Sequence, residues 1–163
     1  VWGLQLSSSL WRIAKRKYAD TAFNGEGARR VGGRWHSRGQ GIVYASGTLS
    51  LAALEVFVHL EVEDVGVMFS FIRADVPTDA NIEYLEMDRL PPDWRNIPAP
   101  STLAAIGDRW FQSRETAILA VPSAIIPVEY NYLINPTHPD FAKFSLGSPQ
   151  PFELDPRLWK SNY

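Results

Sequence analysis

The sequence predicts a single α+β domain, and three observations carry that reading. Strand-like segments outnumber helical ones, the two kinds are not regularly interleaved, and the 163 residues hold no internal repeat, heptad run or low-complexity segment. The chain is long enough for one sizeable core and is placed as one domain over 1–163.

The elements follow in order. LWRIAK (10–15) alternates weakly and predicts a first strand, and 18–41, rich in Gly, Arg and Asn, predicts an irregular loop. IVYAS (42–46) reads as a short apolar strand. Ser46 or Thr48 then caps a helix, TLSLAALEVFVHL, ending near His59 or Leu60. A strand is expected over 65–76, with Val67, Phe69 and Phe71 on one face. Prolines 77, 91, 92, 98 and 100 make 77–100 an extended connection. Ser101 is the expected cap of a second helix reaching Glu115 in spite of Gly107. AILAV (117–121) is a buried strand stopped by Pro122, and Val128, Tyr130, Tyr132 and Ile134 alternate with polar residues in another. HPDF (138–141) is a turn, and PFELDPRLW closes the chain.

Composition removes several function classes. The chain has no cysteine, which excludes disulfides and thiolate zinc sites. No apolar run approaches the roughly 20 residues of a membrane span, and no signal segment is visible, so a cytoplasmic location is the expectation. His36, His59 and His138 are too scattered for a metal site, HExxH is absent, and no metal is expected. There is no GxSxG elbow, no Gly-Lys-Ser/Thr phosphate loop, and no GxGxxG opening a helix.

Charge is uneven. Residues 1–40 hold eight Lys or Arg against two acids, whereas the remainder holds eight against sixteen. The basic quarter includes GARRVGGRWHSRGQGIVYAS (27–46), where five glycines and four arginines point to a closely approached anion. WRIAKRKY could meet nucleic acid, but a pI near 5.9 argues against a dedicated nucleic-acid binder, and no direct DNA binding is expected.

Single residues stay open at this level. Arg34, after two glycines and before Trp35, either grips a phosphate with its planar fork or is a structural arginine stacked on Trp35 and bonded to carbonyls. Glu55 lies in an almost wholly apolar helix, where a carboxylate needs a partner or a purpose. Yet Thr48, Ala52, Glu55 and His59 share a stripe that could face solvent. Tyr44 could stack on a planar ring, although the balance favours a half-buried core tyrosine. Ser123, between Pro122 and an apolar run, faces a cleft or is an ordinary turn serine.

In combination the blocks LWRI, FNGEGARRVGGRWHSRGQGIVYAS, AALEVFVHL and VPSAIIP-E-N-LINPTHPDF resemble the RES-domain toxins of bacterial Xre–RES toxin–antitoxin pairs. The resemblance runs from about residue 10 to residue 145. It departs at His36, where the family often has Asn. It implies an ADP-ribosyltransferase-like fold with twisted mixed or antiparallel sheets and flanking helices. It also implies NAD as substrate, cut between nicotinamide and ribose with water or phosphate as acceptor. Some relatives instead transfer ADP-ribose to a protein. Carried across, the family's arginine, tyrosine, glutamate and serine fall on Arg34, Tyr44, Glu55 and Ser123. Arg12, Trp35, Asn131 and His138 are weaker candidates for substrate binding. A cognate Xre-family helix-turn-helix antitoxin that blocks the cleft is the implied partner. A non-catalytic module binding nucleic acid or a partner through the basic segment is the contrasting alternative.

Overall fold

The computed structural model describes residues 9–61, 64 and 66–158, so Val65 of the predicted strand and Trp159 of the closing tail lie outside the described residues. The described chain builds one eight-stranded mixed sheet with three helices. The strands are β1 (Ser9–Lys15), β2 (Val43–Ser46), β3 (Phe69–Asp75), β4 (Ile82–Tyr84), β5 (Ile118–Pro122), β6 (Tyr130–Ile134), β7 (Ser145–Leu146) and β8 (Gln150–Phe152). The helices are α1 (Glu26–Arg30), α2 (Leu49–Phe57) and α3 (Ser101–Ser113). Strand order is β4-β5-β6-β2-β1-β3-β7, with β8 also pairing with β3. Only β4 and β5 run parallel. The α+β single domain expected from the sequence is the one observed.

The two residue faces of each strand go to different cores, as the period of two requires. Leu10, Val43, Ala45, Ile72, Ala74, Ile118, Ala120 and Ile134 pack on one face. On the other, Leu119, Val121 and Leu133 meet Leu103 and Trp110 of α3, together with Trp35 and Trp94 from the loops. A third cluster sets Ala52 of α2 against Ile13 and Phe69, with Val67 and Phe71 beside them, so the predicted face of the β3 region is correct. β5 and β6 are buried throughout or nearly so, which explains the apolar run AILAV.

The centre of the sheet contains a break in pairing. β1 runs against β3 over seven residue pairs and β2 against β6 over four, yet β1 and β2 share only the register pair Trp11↔Ser46. Beyond that pair, Arg12 Nη1 donates to the Tyr44 carbonyl at 2.7 Å, a side chain standing where a ladder bond would be.

Several local expectations change. The predicted loop 18–41 contains the end of a 3₁₀ turn (Arg16–Thr21) and all of α1. The proline-rich connection 77–100 contributes β4, because Ile82 packs against the core beside β5. Thr48 rather than Ser46 caps α2, its hydroxyl accepting from Leu51 N at 3.1 Å. Pro100 occupies the cap position of α3 without any side-chain cap, and Ser101 is already helical. Pro122 ends β5 within the ladder, opposite Tyr130. The closing segment adds β7 and β8 to the β3 edge. Val128 is 87% exposed, so the inward alternation begins only at Tyr130.

Gly107 interrupts a good helical sequence for a steric reason. A Cβ there would lie 1.8 Å from the Trp35 carbonyl oxygen, so only glycine lets α3 lie against the cavity loop. Gly107→Ala is therefore expected to destabilise the protein by about 3 kcal/mol or more, the upper end for an overpacked core. Urea unfolding would check this, and a stability within 0.5 kcal/mol of wild type would contradict the close contact.

Candidate active site

A cavity of about 660 Å³ opens beside the parting of β1 and β2, a size suited to a small-molecule ligand. Its walls come from β1 (Trp11, Arg12, Ile13), the Gly-Arg loop, β2, one side of α2, and segments 95–99 and 124–125. Arg12, Arg34, Tyr44, Glu55 and Asn131 all line it. Three arginines (Arg12, Arg34 and Arg95) face one carboxylate, Glu55, which makes the cavity electropositive.

Glu55 sits on α2 facing the sheet, not solvent. Its Oε1 accepts from Ser123 Oγ at 2.8 Å and from Asn131 Nδ2 at 2.5 Å. The donors are themselves fixed. Ser123 Oγ accepts from Ile125 N and Ile126 N, both at 3.1 Å, so its one proton goes to Glu55. Asn131 Oδ1 accepts from Ser46 Oγ at 2.7 Å. Among the described residues Glu55 Oε2 has no hydrogen-bond partner, and it remains the oxygen available to a ligand. Ser123 is fully buried and absent from the cavity wall, and its hydroxyl meets Glu55.

Arg34 is bonded to backbone carbonyls and also lines the cavity. Nη1 donates to Trp94 O (2.5 Å) and Asn96 O (3.3 Å), and Nη2 also reaches Asn96 O (3.3 Å). These bonds tie the Gly-Arg loop to the proline-rich segment while one edge of the guanidinium remains on the cavity. Burial lowers its pKa, and the Glu55 charge partly restores it. Trp35 is 3% exposed and belongs mainly to the α3 core. Burial brings Arg12 down to about 10, which leaves it cationic at neutral pH, and its Nε is buried without a partner among the described residues.

Tyr44 presents its ring to the cavity while its hydroxyl meets His36 Nδ1 at 2.7 Å. His36 Nε2 lies 3.1 Å from Ala28 O and 3.0 Å from Val31 O, which only accept. The proton of neutral His36 is therefore on Nε2, and Tyr44 donates to Nδ1. Gly33 fits beneath this pair, since a Cβ there would come within 2.8 Å of the imidazole. His138 is elsewhere: it caps the 3₁₀ turn Pro139–Lys143 by accepting from Asp140 N and bonds Arg114 O through Nε2. It lines no part of the cavity.

The family description RES domain matches residues 9–155, nearly the whole described chain. The chain belongs to the RES domain family. It is 40% identical over 154 residues to "Toxin Res" of Photorhabdus laumondii, covering 93% of this chain and 97% of that protein. "Toxin Res" of Yersinia enterocolitica is 38% identical, with 91% and 98% covered. "Prs ADP-ribosylating toxin" of a Sphingobium species is 38% identical, with 94% and 98% covered. A chain of the crystal structure of the M. tuberculosis MbcT-MbcA toxin-antitoxin complex has the same fold, with a TM-score of 0.74 and 18% identity over 89% of this chain and 84% of that chain.

Ser46 and Arg95 are among the cavity residues to which the sequence reading gave no site role. Ser46 shares the Tyr44 face of β2, and the alternation that singled out Tyr44 could have found it. Arg95, whose Nε donates to Ala124 O at 2.9 Å, comes from a proline-rich segment with no local signal for its position. Among the described residues no cluster of His, Asp or Glu could hold a metal, and no helix is long and apolar enough to cross a membrane.

Burial raises the Tyr44 pKa above its ordinary value near 10. The neutral phenol thus stabilises the fold fully below pH 10, and that contribution is lost as pH rises through and beyond 10. Tyr44→Phe should cost about 1 kcal/mol at pH 7 by leaving His36 Nδ1 without its donor. It should also lose less stability than wild type between pH 9 and 11.5 in urea titrations. Tyr132, raised likewise by burial, is common to both proteins. Parallel pH curves would contradict the buried hydroxyl.

Proposed function

We propose that this protein is the toxin of a toxin–antitoxin pair and cleaves NAD between nicotinamide and ribose. The observation that carries this is Glu55: one carboxylate in an electropositive cavity, held through Oε1 by two donors and presenting Oε2. Breaking the C1′–N bond sends its electron pair to the nicotinamide nitrogen, and the pyridinium leaves as neutral nicotinamide. No general acid is needed, so one carboxylate suffices. Positive charge develops on the ribose and is stabilised by Glu55, as in glycoside cleavage. Water or phosphate then bonds to C1′; water loses its proton to solvent.

Arg34 fits the pyrophosphate, preset by its bonds to Trp94 O and Asn96 O, while Arg12 and Arg95 add to the positive field. The Tyr44 ring suits stacking on nicotinamide. Ser123 acts through Glu55 as a positioning residue. Asn131 does the same, and Trp35 lines the cavity beside Arg34. The relatives named Toxin Res and the toxin–antitoxin complex with this fold support an antitoxin partner; its Xre helix-turn-helix kind and a cytoplasmic site of action are carried over from the family resemblance alone. The Sphingobium relative's name supports a second reading, transfer of ADP-ribose to a protein side chain after the same first bond cleavage.

Purified protein free of any antitoxin, incubated with NAD with and without phosphate, is expected to release nicotinamide. Glu55→Gln should slow release at least ~100-fold while unfolding normally. Arg34→Ala should raise KM about 10-fold. Undiminished release by Glu55→Gln would remove the mechanism. Release only in the presence of a protein acceptor, with label retained on it, would favour transfer, and salt-sensitive binding without turnover would favour a binding module.

A further inference from the structure

The hydrogen bonds around Glu55 have a definite direction, and the groups that hold them extend one residue further out. A carboxylate only accepts, so Asn131 must turn Nδ2 toward Glu55 and Oδ1 away from it. Oδ1 then faces Ser46 Oγ at 2.7 Å, in a pair where both residues are almost completely buried. Register places them there: Ser46 and Asn131 are direct cross-strand partners in the β2–β6 ladder, so their side chains share one face. With its only proton committed to Asn131, Ser46 has nothing to donate to the cavity it borders.

We propose that Ser46 is a positioning residue for the reaction, acting through Asn131 on Glu55. Its hydroxyl holds Asn131 Oδ1 and so keeps the amide where Nδ2 reaches the carboxylate, whose accept-only oxygens set the amide's direction. An amide turned the other way would set a carbonyl oxygen against Glu55 Oε1, which repels the charge that the reaction uses. With the amide held at both ends, Asn131 joins Ser123 in occupying one carboxylate oxygen and leaves the other to the cavity. The chain of contacts runs from β2 through β6 to α2 and is completed from the far side by Ser123.

This inference rests on the proposed NAD cleavage, and two readouts keep the two apart. In nicotinamide release, Ser46→Ala is expected to lower kcat about 10-fold with KM within twofold, the loss of one buried hydrogen bond. Asn131→Ala should lower kcat roughly 30-fold or more. Adding Ser46→Ala to Asn131→Ala should change nothing further, because Ser46 acts only through Asn131. Effects that multiply in the double variant, or an unchanged kcat in Ser46→Ala, would overturn the proposal.

The second readout needs no NAD. The Asn131 side-chain amide signals, assigned by their loss in Asn131→Ala, are expected to shift in ¹⁵N NMR of Ser46→Ala while the backbone spectrum keeps its dispersion. Unshifted signals would overturn the relay whatever the activity. Wild-type protein that releases no nicotinamide would overturn the NAD reading alone.

Discussion

One constraint governs the rest of the molecule: β1 and β2 neighbour each other in the sheet but are held by a single register pair. The missing ladder is replaced by the Arg12 guanidinium reaching the Tyr44 carbonyl. That substitution is expensive, since it buries a cation and leaves its Nε without a partner among the described residues. It also makes the functional cavity possible. A zipped β1–β2 pair would close the space that Tyr44, Glu55 and the Gly-Arg loop surround. The surrounding strands supply the stability this requires, through the long β1–β3 pairing and the buried β5–β6 core.

Around that opening, the side chains are positioned by partners from distant parts of the chain. Glu55 is fixed by Ser123 and Asn131, Arg34 by two carbonyls of the proline-rich segment, and Tyr44 by His36. Most of these groups have their hydrogen-bonding capacity already filled on the protein side. Such a site needs little reorganisation when charge changes within it, which is the physical basis of electrostatic catalysis. The division of labour is consistent: residues on the wall keep one edge free, while residues behind them spend everything on orientation.

Local pattern carried much of this into the sequence. Alternation placed Val67, Phe69 and Phe71 together, the apolar run marked β5, and Thr48 was one of two caps considered for α2. The blocks around Arg34, Tyr44, Glu55 and Ser123 were recognisable as a set, and the fold brings these four around one cavity, three on its wall and Ser123 behind Glu55. What local pattern could not supply were relations between elements. Whether the Glu55 stripe faced solvent or sheet depended on where α2 docks. Whether His138 reached the cavity depended on the turn after β6, where its ring is used for capping. Arg95 and β4 lie in a stretch whose prolines suggested only a connection, and their placement comes from long-range packing.

The order in which the chain is made adds a last consequence. β6, residues 130–134, fills the position between β5 and β2, yet it is nearly the last of the central strands to be synthesised. Until it leaves the ribosome the sheet lacks its middle, and Glu55 lacks Asn131. Ser123 emerges only shortly before, and its own backbone N–H pairs with Glu129. A nascent chain ending before about residue 130 therefore has the carboxylate and Ser123 but lacks Asn131 and the strand that carries it. The cavity with its oriented carboxylate is therefore complete only once β6 is in place.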